Sequence, residues 1–245
     1  MKKIIAVLLT LAACTQAKKE LQSSTQASAD NKRTEVQQQE GWKLLFDGQT
    51  LTGWKIYKEW KNNTWEVKDG TLHCRPVNEQ VKGDGDERSD LMTTEQFANF
   101  EFTCNWKISP EGNSGIIYRV TEEFEQPYFS GPEYQLIDDE GYKPKQNDVH
   151  LTGANYDMMP PTAKVVKPVG EWNFTKIVAN GNHVEHWLNG QKIVEYELRS
   201  PDWQKRKDES KWKDKKGYGM ASQGHIDLQD HGSEVWFKNV MIKAL

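Results

Sequence analysis

Asn99-Phe100-Glu101-Phe102-Thr103-Cys104-Asn105-Trp106-Lys107-Ile108 is the stretch on which the fold turns. Phe100, Phe102, Cys104, Trp106 and Ile108 alternate with Glu101, Thr103, Asn105 and Lys107. A period of two puts successive side chains on opposite faces of a strand, so this segment reads as a β-strand with one face buried and the other wet. Upstream, Trp65-Glu66-Val67-Lys68 and Thr71-Leu72-His73-Cys74 flank Asp69-Gly70, and downstream His183–Leu188 and Gln191–Tyr196 flank Asn189-Gly190. Asp-Gly and Asn-Gly supply the two positive φ angles of a type I′ hairpin turn, so each pair predicts two antiparallel strands. Further strands are predicted over Gly115–Val120, Glu133–Asp138, Trp172–Ala179, Ile226–Asp230 and Val235–Ile242. Short strands at this spacing, with no recurrent helix between them, predict an all-β, two-sheet antiparallel sandwich. One short helical insert is expected at Ser200-Pro201-Asp202, which offers an N-cap, a first-turn proline and an early acid. In the charged run that follows, Trp203 and Trp212 need cover, either from the rim of the sandwich or from a ligand site.

The chain has 245 residues and a formal charge of −4, which excludes a polybasic nucleic-acid binder as the default reading. Ten Trp, eight Tyr and eight Phe are too many aromatics for a disordered chain and suit a large core, a sugar-binding surface, or both. No metal-binding cysteine spacing and no nucleotide-cofactor motif is present.

The N-terminus reads as an export signal. Met1-Lys2-Lys3 is basic, and Ile4 to Ala13 is an apolar run too short to span a bilayer. Leu11-Ala12-Ala13-Cys14 resembles the lipobox of bacterial lipoproteins, which implies a signal peptide over 1–13 and a lipidated Cys14. Residues 14–40 are expected to form a disordered tether, because Leu21 and Val36 are their only bulky aliphatics. The folded domain is expected over 41–245. The expected location is the bacterial envelope, periplasmic or cell-surface, with the outer membrane favoured because no Asp follows Cys14. Export would permit a disulfide between Cys74 and Cys104, and two buried thiols remain the alternative.

The alternation also sorts polar residues onto faces. In Glu133-Tyr134-Gln135-Leu136, the acid and the amide share one face while Tyr134 and Leu136 share the other. In Gly115–Val120, Ile117 and Arg119 have one parity, and Ile116 and Tyr118 the opposite. Asp227, Gln229 and His231 share a parity, with Asp230 at the strand end close enough to border the same pocket. A sheet face carrying Arg119, Glu133, Gln135, Gln229 and His231 is too polar for a core and points to a ligand. His183 and His186 are expected on an outer face of their hairpin.

Seven ordered motifs resemble those of the bacterial 3-keto-disaccharide hydrolase family. They are Leu45-Phe46-Asp47-Gly48 with Leu51-Thr52-Gly53-Trp54, Trp65 to Gly70, Asn113 to Arg119, Glu133-Tyr134-Gln135, Gly170-Glu171-Trp172-Asn173, Trp187 to Gly190, and Leu228-Gln229-Asp230-His231-Gly232. The resemblance implies a concanavalin-like jelly roll, a 3-keto sugar substrate and a sugar dehydrogenase that makes the ketone. A ketone at C3 acidifies the C2 proton, so a base can remove it and the enolate can expel the C1 substituent. On that chemistry His231 or Glu133 is the expected base and Arg119 the expected cation on the enolate oxygen. Gln135, Gln229, Asp230, Tyr118 and Trp172 are the expected substrate contacts, and a divalent metal on Glu133 and His231 is an alternative to the cation. Conventional two-carboxylate glycoside hydrolysis is a rival reading, although Gln135 stands where concanavalin-like glucanases carry an Asp. A non-catalytic, lectin-like sugar-binding lipoprotein is a third.

Overall fold

A computed structural model describes residues 30–77 and 87–245. Among these residues the strands are β1 (Lys43–Leu44), β2 (Trp54–Ile56), β3 (Trp65–Lys68), β4 (Thr71–Cys74), β5 (Leu91–Thr93), β6 (Phe100–Ile108), β7 (Asn113–Val120), β8 (Glu133–Ile137), β9 (Asn173–Asn180), β10 (His183–Leu188), β11 (Gln191–Glu197), β12 (His225–Leu228) and β13 (Val235–Ala244). One antiparallel sheet has the order β11-β10-β9-β6-β13-β4-β3, with β1 also paired to β13, and the other has the order β2-β5-β12-β7-β8. Among the described residues the α-helices are α1 (Glu35–Gln39) and α2 (Pro201–Glu209).

The core lies between the sheets. Phe100, Phe102, Cys104, Trp106 and Ile108 of β6 face inward with Leu72, Ile116, Tyr118, Tyr134, Leu136 and Phe237, as the period of two predicts. The Trp106 indole donates to Thr175 Oγ1 at 2.8 Å, so its one polar group is satisfied in the interior. Both hairpin turns take the expected backbone, with φ of 49° and 74° at Asp69 and Gly70 and of 50° and 87° at Asn189 and Gly190. Ser200 caps α2 by accepting from Trp203 N. Trp203 and Trp212 are both buried and stack on opposite sides of Tyr218, with ring centroids 6.0 and 4.8 Å away.

Two expectations change, and one open alternative is decided. The chain packs against the domain from Asp30, ahead of the boundary read at 41. Asn31 is buried and exchanges hydrogen bonds with Asn239, and Thr34 with Gln37 forms a capping box at the start of α1. That Thr-x-x-Gln signature was legible but lay inside a segment read only for its lack of aliphatics. His186 points inward: its Nδ1–H donates to Gly153 O at 2.9 Å, and Tyr118 Oη–H donates to its Nε2 at 2.9 Å. Cys74 and Cys104 are buried free thiols. The expected signal peptide, the expected lipidation site Cys14 and the first half of the expected tether lie outside the described residues.

Candidate functional site

The face of the five-stranded sheet turned away from the core carries the site. Residues opposite each other on neighbouring antiparallel strands share a face, so the register assembles two rows. In the first, Met92, Asp227, Ile117 and Glu133 lie side by side across β5, β12, β7 and β8. The row continues to Tyr156, whose N–H donates to the Glu133 carbonyl at 3.0 Å. In the second, Gln229 N donates to Gly115 O at 2.9 Å, Gly115 is opposite Gln135, and Asp90 sits just before β5. Apolar groups make the floor, where Tyr57, Met92, Ile117 and Val120 form a small cluster with Tyr128 against it.

Gly115 is what lets Glu133 fold down onto this floor. A Cβ built on Gly115 would lie 2.4 Å from Glu133 Oε1, so any side chain there would displace the carboxyl. Beside it opens a cleft of about 240 Å³ lined by Trp60, Arg88, Asp90, Tyr128, Gln229 and His231. Trp60 is half-exposed at the mouth, a position suited to stacking on a sugar face.

Electrostatics mark the same face. Burial pushes Glu133 up to about 8, with the nearby Asp90 charge adding to the effect and Lys211 opposing it. Burial likewise lifts Asp90 to about 7, and holds Asp227 well above the carboxylate range with help from Asp90. Three acids on one surface are therefore held towards their neutral forms at pH 7. Neither oxygen of Asp227 has a hydrogen-bond partner in place, and after burial the Asp90 carboxyl is what acts most strongly to raise it. Gln135 Nε2 donates to Asn113 Oδ1 at 2.9 Å and the Gln229 side chain bonds Glu133, while Oε1 of each amide lacks a partner. Buried acceptors without donors cost stability unless a ligand or water answers them. His231 is exposed at the cleft mouth, where desolvation and the charge of Lys211 shift its ring below the usual histidine value and so favour the neutral form.

The sequence-derived candidates divide cleanly. Glu133, Gln135, Gln229 and His231 come together on this face. Asp230 borders the cleft, but its side chain is committed: it accepts from Thr64 Oγ1 at 2.6 Å and from Arg88 Nε at 3.0 Å. Arg119 does not join them. A bulge between His225 and Ile226 of β12 leaves Arg119 as the unpaired residue of β7 with φ 56°, which breaks the alternation. Its guanidinium instead donates to Ala98 O from Nε and Nη2, at 3.1 and 2.8 Å, on the side of Tyr118 and Tyr196. Tyr118 is a core residue bonded to His186 and Tyr196. Trp172 lies on the outer face of the other sheet beneath Lys107 and Lys238, at 5.2 and 4.4 Å.

Among the described residues, one group of three His, Cys, Asp or Glu ligand atoms lies mutually within 4.8 Å. It is His183, Glu185 and Glu195, on the β10–β11 hairpin, where the Lys192 ammonium bonds both acids. Glu133 and His231 are not part of it.

Asp90, Asp227, Trp60, Tyr128 and Lys211 were not among the candidates. Asp227 had the right parity beside Gln229 and could have been chosen. Asp90 precedes a three-residue strand with no alternation to read, and Lys211 is one lysine in a charged run, marked only by its neighbour Trp212.

Residues 41–243 match the family model of the 3-keto-alpha-glucoside-1,2-lyase-like domain. A 3-keto-disaccharide hydrolase of Bacteroides thetaiotaomicron is 33% identical over 230 residues, covering 84% of this chain and 79% of the relative. A crystal structure of a putative glycosyl hydrolase from Parabacteroides distasonis is 40% identical with a TM-score of 0.80, over 88% of this chain and 99% of that one. A second from the same organism is 28% identical with a TM-score of 0.65, over 83% and 99%.

Proposed function

The chain belongs to the 3-keto-alpha-glucoside-1,2-lyase-like family, and from that premise we propose that it cleaves the glycosidic bond of 3-keto-glycosides by elimination followed by hydration. The observation that carries the mechanism is the meeting, on one sheet face, of a histidine whose ring is shifted towards its neutral form with a buried Glu133 pushed up to about 8 and folded against Gly115.

With the sugar in the cleft, His231 takes the proton from C2. The C–H electron pair becomes the C2–C3 double bond of an enolate whose charge rests on the C3 oxygen. A neutral carboxylic acid in an apolar surround can donate a hydrogen bond to such an oxygen at pH 7, and Glu133 and Asp90 are the acids placed to do so. Collapse of the enolate restores the ketone and forms the C1–C2 double bond. The C1–O bond breaks, and the departing alkoxide collects a proton. Water then adds its hydroxyl to C1 and its hydrogen to C2, which completes net hydrolysis. Two-carboxylate hydrolysis needs one ionised carboxylate, as nucleophile or as general base, and this face offers three acids biased towards protonation and a fourth, Asp230, already bonded to Arg88.

The test is to incubate the protein with a 3-keto-glucoside and with the unoxidised glucoside, each with and without EDTA. Release from the keto form alone is expected. Release from both supports the two-carboxylate route, and affinity without release supports a lectin. A loss in EDTA that a divalent cation restores assigns oxyanion stabilisation to a metal.

The reaction that must supply this substrate is oxidation of a C3 alcohol, the work of a sugar dehydrogenase. Export and lipidation at Cys14 complete the reading, and mass spectrometry of the N-terminal peptide from membranes checks them.

A further inference from the structure

With Arg119 turned to Ala98, the enolate oxygen lacks the cation that this chemistry favours. We propose that Lys211, from the segment after α2, supplies it, an assignment that rests on the elimination reading above.

Lys211 is held from three directions. Its backbone N–H donates to Asp157 Oδ2 at 2.7 Å. Its ammonium lies over two aromatic rings, 3.9 Å from the centroid of Tyr156 and 4.4 Å from that of Trp212. Those rings are themselves fixed. The Trp212 indole donates to Tyr156 O at 3.0 Å, Trp212 stacks on Tyr218, and the Tyr218 hydroxyl donates to Asn155 Oδ1 at 3.1 Å. Tyr156 is in turn joined to Glu133 through the backbone bond at 3.0 Å. The rigid insert that buries Trp212 thus delivers one positive charge to the edge of the row that holds Glu133. A lysine tethered over aromatic faces keeps its charge while losing much of its freedom, the preorganisation that oxyanion stabilisation requires.

The local charges agree with the placement. Lys211 acts electrostatically on Glu133, Asp157 and His231. Its field helps to keep His231 unprotonated and therefore basic, and draws negative charge towards the Glu133 end of the trench. Arg88, a cation that lines the cleft, is bound to Asp230. Lys211, exposed beside Tyr156, acts instead on Glu133 and His231, the groups that the reaction would use.

The test compares wild type, Lys211→Met and Lys211→Arg on a 3-keto-glucoside and on 1-deoxy-3-keto-glucose. The deoxy sugar can form the enolate but has no leaving group, so NMR of C2 hydrogen–deuterium exchange in heavy water reads enolate formation alone. Lys211→Met is expected to lower both kcat and the exchange rate by about 10² to 10³-fold, the usual loss for one oxyanion contact, with KM changed less than about threefold. Lys211→Arg should recover at least tenfold. Melting curves within a few degrees of wild type separate this from loss of the insert. Should Lys211→Met exchange and turn over at the wild-type rate, or raise KM alone, the assignment falls while the elimination reading stands. Should wild type neither exchange nor cleave, the elimination reading fails and takes the assignment with it.

Discussion

On the inner face of the five-stranded sheet, Tyr118 bonds His186 Nε2 and the Tyr196 hydroxyl, and His186 Nδ1 bonds the Gly153 carbonyl. On the outer face, Asp227 has no donor to either oxygen, and Gln135 and Gln229 each leave an amide oxygen unanswered. Both sets of side chains are buried. The inner set closes on itself and so belongs to stability. The outer set is left open, and a fold that bears such a penalty on one face keeps it for something that arrives later.

The largest effect that sharpens this contrast is expected from the open face. His231→Ala should lower kcat by about 10² to 10⁴-fold, the range for a general base, with the melting temperature little changed. Glu133→Gln should keep a hydrogen-bond donor but remove the titration that closes the alkaline limb. The wild-type rate should fall on the acid side through the depressed value of His231, where the base becomes protonated, and on the alkaline side near about 8, where Glu133 loses its proton. In Glu133→Gln the alkaline limb should move away from pH 8. A rate that instead rises through pH 8 in wild type would make Glu133 the base and His231 a bystander, which a pH–rate profile decides.

The closed face should respond in the opposite currency. His186→Ala leaves one hydroxyl proton of the Tyr118–Tyr196 pair without an acceptor in the core, and an unsatisfied buried hydroxyl with the space around it costs about 2 to 3 kcal/mol. Urea denaturation should register that loss, while kcat per folded molecule stays within about threefold, since His186 is in the interior with its pKa depressed to about 4 by burial. A collapse of kcat in a folded His186→Ala protein would break the separation of the two faces.

Period-two alternation carried most of this architecture, because a strand between a core and solvent must alternate. It placed Glu133 opposite in sense to Tyr134 and put Gln229 with Asp227. It failed where the backbone left the period. Arg119 has the parity of Ile117 on paper, yet the bulge at His225–Ile226 turns it to Ala98, and nothing in Ile117-Tyr118-Arg119-Val120 announces a bulge without glycine. Trp172 shares a motif with Gly170-Glu171-Asn173, but it precedes the first residue of β9 on the far sheet. Asp90 and Lys211 reach the site through a three-residue strand and an insert, whose positions depend on tertiary packing and not on local pattern. The open acceptors on Gln135 and Gln229 could not be read at all, since they depend on which way each amide is held by its neighbour.

The smallest expected effect bears on whether the open face is a stored penalty. Asp90 and Glu133 bind protons more tightly in the folded chain, at about 7 and about 8, than at their ordinary values of 3.8 and 4.5. A raised carboxyl contributes stability that is fully present below its unfolded value and lost as pH climbs through its folded value. From about pH 4 to pH 8 the unfolded chain therefore carries fewer protons at these sites, and native stability should decline. Asp227→Asn removes the acid that burial and Asp90 force highest, and supplies Asp90 with a neutral amide donor. Thermal melts at pH 5 and pH 8.5 should show a smaller decline in Asp227→Asn than in wild type, with the variant the more stable of the two at the higher pH. Parallel declines would mean that solvent already answers these oxygens, and the contrast between the two faces would shrink to one of exposure.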